Sequence, residues 1–113
     1  MKSYNESYHI IYWTLSYLYV VGNLVLTELG EDCQSKGLQP IDSESECTSA
    51  TQFIKTYYPK YEFKRVESNS GFPKGCYAYV VQNNLIFDGY FNTHSTGSGE
   101  SFSRAICGKK KGN

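Results

Sequence analysis

Four cysteines constrain this chain more than any other feature it carries. Cys33, Cys47, Cys76 and Cys107 are even in number, sit in only 113 residues and follow a long uncharged apolar run. A small chain with that combination reads as a disulfide framework. No two of them form a Cys-x-x-Cys knuckle, and the chain adds only His9 and His94. That set does not suit a zinc site, and no cofactor is expected. Four cysteines allow three connectivities. The expected one is Cys47–Cys76 and Cys33–Cys107, for reasons that lie in the segments around them.

Cys76 sits in Gly71-Phe72-Pro73-Lys74-Gly75-Cys76-Tyr77-Ala78-Tyr79. Pro73 fixes its own φ and pushes Phe72 towards extended backbone. Gly71 and Gly75 permit positive φ on either side, so the stretch is a turn that delivers Cys76 into a strand. Tyr77 to Val81 favour that strand, Gln82-Asn83-Asn84 turns it, and Leu85 to about Phe91 brings it back. The result is a central hairpin. Cys47 belongs to a helix. Ser43 and Glu46 form a capping box, and Asp42, Glu44 and Glu46 suit the positive end of the helix dipole. Cys47, Ala50, Ile54 and Tyr57 fall on one helical face, with Phe53 widening it, and Pro59 stops the helix. A cysteine on that face can tie helix to hairpin. Cys33 and Cys107 can tie the start of the domain to its end.

The remaining segments are weaker signals. Ile41 is a candidate short strand or core contact. Tyr61 to Val66 reads as a further strand and Phe102 to Cys107 as the last one. Thr93 to Ser103, rich in Ser, Thr and Gly, reads as an exposed mobile loop. The expected fold is α+β: one amphipathic helix on a small antiparallel sheet with a central hairpin and two disulfides. The expected domain runs over 28–108, with a basic flexible tail at 109–113.

Residues 1–27 read as a secretory leader. Ile10 to Leu26 carries no charge. It is slightly short for a span, which needs about 20 apolar residues. A cleaved signal, an uncleaved anchor and a buried segment of the fold are all compatible with it. Val20-Val21-Gly22 offers one cleavage site and Val25-Leu26-Thr27 a poorer one. Secretion predicts a product beginning between Asn23 and Glu31. The expected location is secreted or extracellular, or membrane-anchored with the domain on the lumenal or extracellular side.

Charge excludes one class of partner. Lys plus Arg equals Asp plus Glu, so the formal charge is zero. That argues against a non-specific nucleic-acid binder. Acids dominate from Glu28 to Glu62 and bases from Phe63 onward, which reads as two solvated faces. Catalysis finds little to use. His94 lies near several serines, and Asp88 could serve as an orienting acid, but no Gly-x-Ser-x-Gly elbow exists. An exposed His94, with no carboxylate on its ring and nothing to fix its tautomer, is the expectation.

Taken in order, Ser43-x-x-Glu46-Cys47-x-x-Ala50, Pro73-x-Gly75-Cys76-Tyr77, Phe91-Asn92 and Ile106-Cys107 resemble a small cysteine module of secreted and surface proteins, over roughly Gly30 to Lys109. Members often carry a further cysteine pair near the end, which this chain lacks. The resemblance implies an extracellular setting and a binding or structural role, with no catalytic residue. The expected function is a non-enzymatic secreted or cell-surface module whose partner is an extracellular protein or a glycan. Tyr joins apolar area to a polar tip, so the eleven tyrosines suit half-buried surfaces and binding faces, and most are expected to be structural in a small sheet domain. Tyr57, Tyr58, Tyr61, Tyr77 and Tyr79 are the candidates for a glycan. Lys74 is the candidate if the Phe72-Pro73-Lys74 turn is presented as in an inhibitor or toxin-like effector.

Overall fold

The computed structural model describes residues 19–21, 23–82 and 86–108. The predicted turn at Asn83-Asn84, most of the leader and the basic tail lie outside them. The strands are β1 (Tyr19–Val21), β2 (Leu24–Leu26), β3 (Gln39–Pro40), β4 (Glu62–Glu67), β5 (Gly75–Gln82), β6 (Ile86–Asn92) and β7 (Ser103–Gly108). One α-helix, α1 (Glu44–Lys55), lies between β3 and β4, and a single 3-10 turn covers Gln34–Lys36. The fold is α+β with two disulfides, as the sequence predicts.

The sheet order is β1-β2-β7-β5-β6-β4, with β3 pairing the end of β7 beyond β5. The expected hairpin is β5–β6, in antiparallel register from Gly75↔Asn92 to Gln82↔Ile86. Gly75 adopts the positive φ that starts it, at 86°. Gly71 does not, and its N–H instead bonds the Asn69 side chain at 2.8 Å. The sheet differs from an all-antiparallel one at β4, which runs parallel to β6. β7 occupies one edge of β5, so the free edge of the hairpin belongs to β6, and the chain leaving α1 fills it before crossing to β5.

The helix begins as predicted. Ser43 is extended (φ −138°, ψ 149°) and its hydroxyl accepts from the Glu46 N–H at 3.2 Å, which satisfies one orphan donor of the first turn. Its buried face is Cys47, Ala50, Thr51 and Ile54. That stripe is narrower than expected. Phe53 and Tyr57 are 41 % and 45 % exposed and pack edge-on against each other at 5.9 Å. Phe53 lies off the buried stripe of α1, and Tyr57 lies beyond the helix's last residue.

Residues directly opposite on neighbouring strands share a face, and successive residues alternate. On the helix face lie Leu26, Ile106, Ala78, Cys76 and Phe91, in one core with Cys47, Ala50, Ile54 and Tyr61. On the other lie Val25, Ala105, Cys107 and Cys33. Both predicted bridges form, Cys47–Cys76 with Cα atoms 5.3 Å apart and Cys33–Cys107 at 5.7 Å. They sit on opposite faces of the sheet. β2 belongs to this core, although the sequence assigns its residues to the leader. Val25, Leu26 and Thr27 are all buried.

Candidate functional site

The helix covers β4, β5 and β6 on one face only. On the other face Tyr77 and Tyr90 stand opposite each other across β5 and β6. Their rings stack at 5.3 Å and 26°. Phe72 stacks on the far side of Tyr77 at 5.4 Å and 11°. The Arg65 guanidinium lies 5.1 Å from the Tyr90 ring centre, a cation–π arrangement. The outcome is a continuous stack in the order Phe72, Tyr77, Tyr90, Arg65. Tyr79 meets Phe72 edge-on, and Phe102 meets Tyr79 likewise. Phe102 is 56 % exposed, Arg65 is exposed, and Phe72, Tyr79 and Tyr90 are half-buried.

Tyr77 at the centre of the stack is fully buried, and its hydroxyl donates to the Glu67 carboxylate. Burial first, and then that bond, push its phenol far above the usual tyrosine range. Charges around the stack are largely matched within the fold. Lys64 lies 3.2 Å from Glu62 and 3.9 Å from Asp88, and its ammonium is held charged mainly by the Glu62 bond.

A buried amide holds the loops beside the stack. Asn92 ends β6, and its side chain is fully buried. Its Nδ2 donates to the carbonyls of Asn69, Phe72 and Pro73 at 2.8, 3.1 and 3.0 Å. Its Oδ1 accepts from the N–H groups of Asn69 and His94 at 2.9 and 3.2 Å. Two N–H protons for three carbonyls means that one bond is shared, but every polar atom is satisfied. Sequence reasoning gave Asn92 no such role. Its partners in the turn lie nineteen to twenty-three residues away, so no local pattern announces it.

The Thr93–Ser103 segment is not the free loop its composition suggests. Thr93 N–H bonds Glu67 O at 2.8 Å, Ser98 N–H bonds Phe72 O at 2.8 Å, and the Ser98 hydroxyl bonds Ser70 O at 2.9 Å. His94 is half-buried, and its tautomer is fixed. The ring Nδ1 accepts from the N–H groups of Thr96 and Gly97 at 3.2 and 3.3 Å. An acceptor cannot carry the proton, so the neutral ring is protonated on Nε2. The expectation of an exposed, unoriented imidazole is therefore corrected: the side chain closes its own turn.

The tyrosines proposed for a glycan do not form one platform. Tyr61 is fully buried on the helix face. It lies over Gly89, where an added Cβ would stand 2.7 Å from its hydroxyl. Burial drives its phenol far above the usual range, and the Thr51 side chain draws it part of the way back. Tyr58 packs against the same core, and Tyr57 stands out at the end of the helix. Tyr77 and Tyr79 lie on the other face, where both meet Phe72, and Tyr77 also stacks on Tyr90. The Phe72-Pro73-Lys74 turn is likewise not a projecting loop. Pro73 is fully buried, Lys74 is half-buried, and the Asn92 amide and the Ser98 N–H hold the carbonyls of the turn.

Among the described residues no group of three His, Cys, Asp or Glu side chains is placed to hold a metal. No helix among them is long and apolar enough to cross a membrane. The fold and face define a class, a two-disulfide α+β domain with one aromatic sheet face open to its surroundings. The chain matches no protein-family model, no curated protein and no solved structure. Two disulfides fit an extracellular or secreted protein.

Proposed function

We propose that this chain is a secreted or cell-surface module that binds a protein partner through its aromatic sheet face, without catalysing a reaction. The observation that carries the reading is the Phe72–Tyr77–Tyr90–Arg65 stack flanked by Tyr79 and exposed Phe102. Tyr and Arg dominate binding hot spots, because they offer large area at low entropic cost and a polar tip. A rigid stack is ordered before a partner arrives, which removes part of the cost of binding.

The geometry favours a protein over a glycan. Sugar rings pack on aromatic faces, and in this stack the faces are turned on one another. The commitment of His94 to its own turn supports a non-enzymatic reading. The apolar run ahead of the fold supports passage through the secretory route, where both bridges would form. The test is direct binding of the secreted protein to a panel of extracellular proteins and to a glycan array. A protein ligand whose binding falls with Phe102→Ser and Arg65→Ser, but not with Phe53→Ser, is expected. Binding to glycans alone, or binding lost only with changes at Tyr57, would overturn the assignment of the face.

A further inference from the structure

We infer that processing of this chain ends ahead of Leu24, so that the mature protein keeps β2 and Thr27 and loses β1. This rests on the secretory reading above. The sequence offers two cuts, one after Val20-Val21-Gly22 and one after Val25-Leu26-Thr27. A leader peptidase acts on the chain before it folds, so exposure in the fold does not choose between them. What the fold does decide is which product can reach the medium folded.

β2 is an internal strand. It pairs with β7 through Leu24↔Gly108, Val25↔Cys107 and Leu26↔Ile106. Val25 packs with Ala105 and the Cys33–Cys107 bridge on one face. Leu26 packs with Ile106 and the helix core on the other. Thr27 is wholly buried and bonds β7 three times. Its N–H donates to Ala105 O at 3.0 Å, its hydroxyl accepts from Ala105 N–H at 2.9 Å, and its carbonyl accepts from the Arg104 guanidinium at 2.8 Å.

A cut after Thr27 removes all of this at once. Ala105 loses partners for both backbone groups inside the protein, the buried Arg104 loses an acceptor, and Ile106 and Cys107 lose their cover. Unpaired buried polar groups are among the most damaging defects a small fold can carry. β1 is different. Among the described residues it pairs only with β2, on the outer edge. Its removal uncovers three residues of one ladder and leaves every contact between β2 and β7 in place. Asn23, in the turn between the two strands, is already exposed.

The experiment is expression of the full chain in a eukaryotic secretory host, with the intact mass and disulfide map of the protein in the medium. The expected product begins at Asn23 and carries Cys33–Cys107 and Cys47–Cys76. A folded product with both bridges that begins at Glu28 or later overturns the inference and leaves the secretory reading standing. A soluble cytosolic product that retains Met1 overturns the secretory reading and the inference with it. Two variants of the full chain test the need for Thr27 directly. Thr27→Ser keeps the hydroxyl and should be secreted close to the wild-type level. Thr27→Val removes it and should fall about fivefold, since a modest loss of stability changes abundance several-fold. Equal secretion of all three overturns the inference.

Discussion

On one face of β5 and β6, Cys76, Ala78 and Phe91 lie under α1 and join the main apolar core. On the other, Tyr77 and Tyr90 lie under no helix. Phe72 comes down from a loop, Arg65 reaches across from β4, and a buried amide pins the loop in place. The first face is closed by apolar packing that needs only volume and periodicity. The second is closed by oriented contacts, which need particular atoms in particular places. The aromatic face is therefore less tolerant of polar change in the loops that hold it, and it is buried at its centre, Tyr77, while Arg65 and Phe102 at its ends stay exposed. That combination suits a surface built to be touched.

The largest test of this contrast is removal of the bridges, since each serves one face. In the chain-entropy picture, the bridge closing 29 residues and the bridge closing 74 residues stabilise by about 3.5 and about 4.5 kcal/mol. Cys33→Ala/Cys107→Ala should therefore lower the urea midpoint at least as much as Cys47→Ala/Cys76→Ala. A much greater loss from the second pair would show that packing under the helix outweighs chain entropy. Next comes Asn92→Ala. It strands the Asn69 and His94 N–H groups and the Pro73 carbonyl, while Phe72 O keeps the Ser98 N–H and Asn69 O the Phe72 N–H, at about 1–3 kcal/mol for each group left buried and unbonded. Water reaching the turn will soften that, so about 3 kcal/mol is expected in urea unfolding. A loss under 1 kcal/mol would break the claim that the amide holds the aromatic face together.

Alkaline titration probes both faces at once. The phenols of Tyr61, under the helix, and Tyr77, in the stack, are both raised by burial. In the unfolded chain each ionises near pH 10. Below that pH both states hold the proton and the stabilisation is fully present. Above it the unfolded chain gives up protons that the folded chain keeps, so stability falls as pH rises towards the folded values. The slope is about 1.4 kcal/mol per pH unit for each group. Tyr61→Phe and Tyr77→Phe should each remove one share of that slope. Full retention of the slope in either variant would show that its phenol is not protected.

The parts of the fold that could be read from sequence are those whose causes are local. Ser43 and Glu46 mark the start of α1, Pro73 and Gly75 mark the turn into β5, and the position of Cys47 on the helix face favours a bridge to the sheet, which the fold makes to Cys76. Other parts depend on contacts distant in sequence. Nothing in Glu62–Glu67 says that it runs parallel to β6, because that pairing joins residues more than twenty positions apart. The alternation of β5 separates Cys76 and Ala78 from Tyr77 and Tyr79, but not what covers each set. Tyr61 reads as the first residue of a strand and a candidate for a glycan, and its burial depends on Gly89, distant in sequence, which leaves room for its ring. The apolar residues of β2 read as leader because a run of Leu and Val looks the same in a membrane-targeting segment and in a core strand.

The smallest predicted effect concerns His94, and it separates holding a loop from doing chemistry. The ring Nδ1 accepts two backbone N–H groups, from Thr96 and Gly97, and lies 3.2 Å from the Thr96 hydroxyl. His94→Ala removes that acceptor in a half-buried, partly wet position, so about 1 kcal/mol is expected, more than at an ordinary surface site. Asn offers a side-chain oxygen that accepts from the same backbone donors in an Asx-type turn. His94→Asn should therefore recover most of the loss, and His94→Phe, which fills similar volume without an acceptor, should not. Thermal unfolding of the three variants decides it. If Phe restores stability and Asn does not, the ring matters for its volume, and the turn must be held by the Ser98 and Thr93 bonds instead. If Ala costs nothing, the imidazole is spare, and its oriented Nε2–H becomes the first place to look for a ligand.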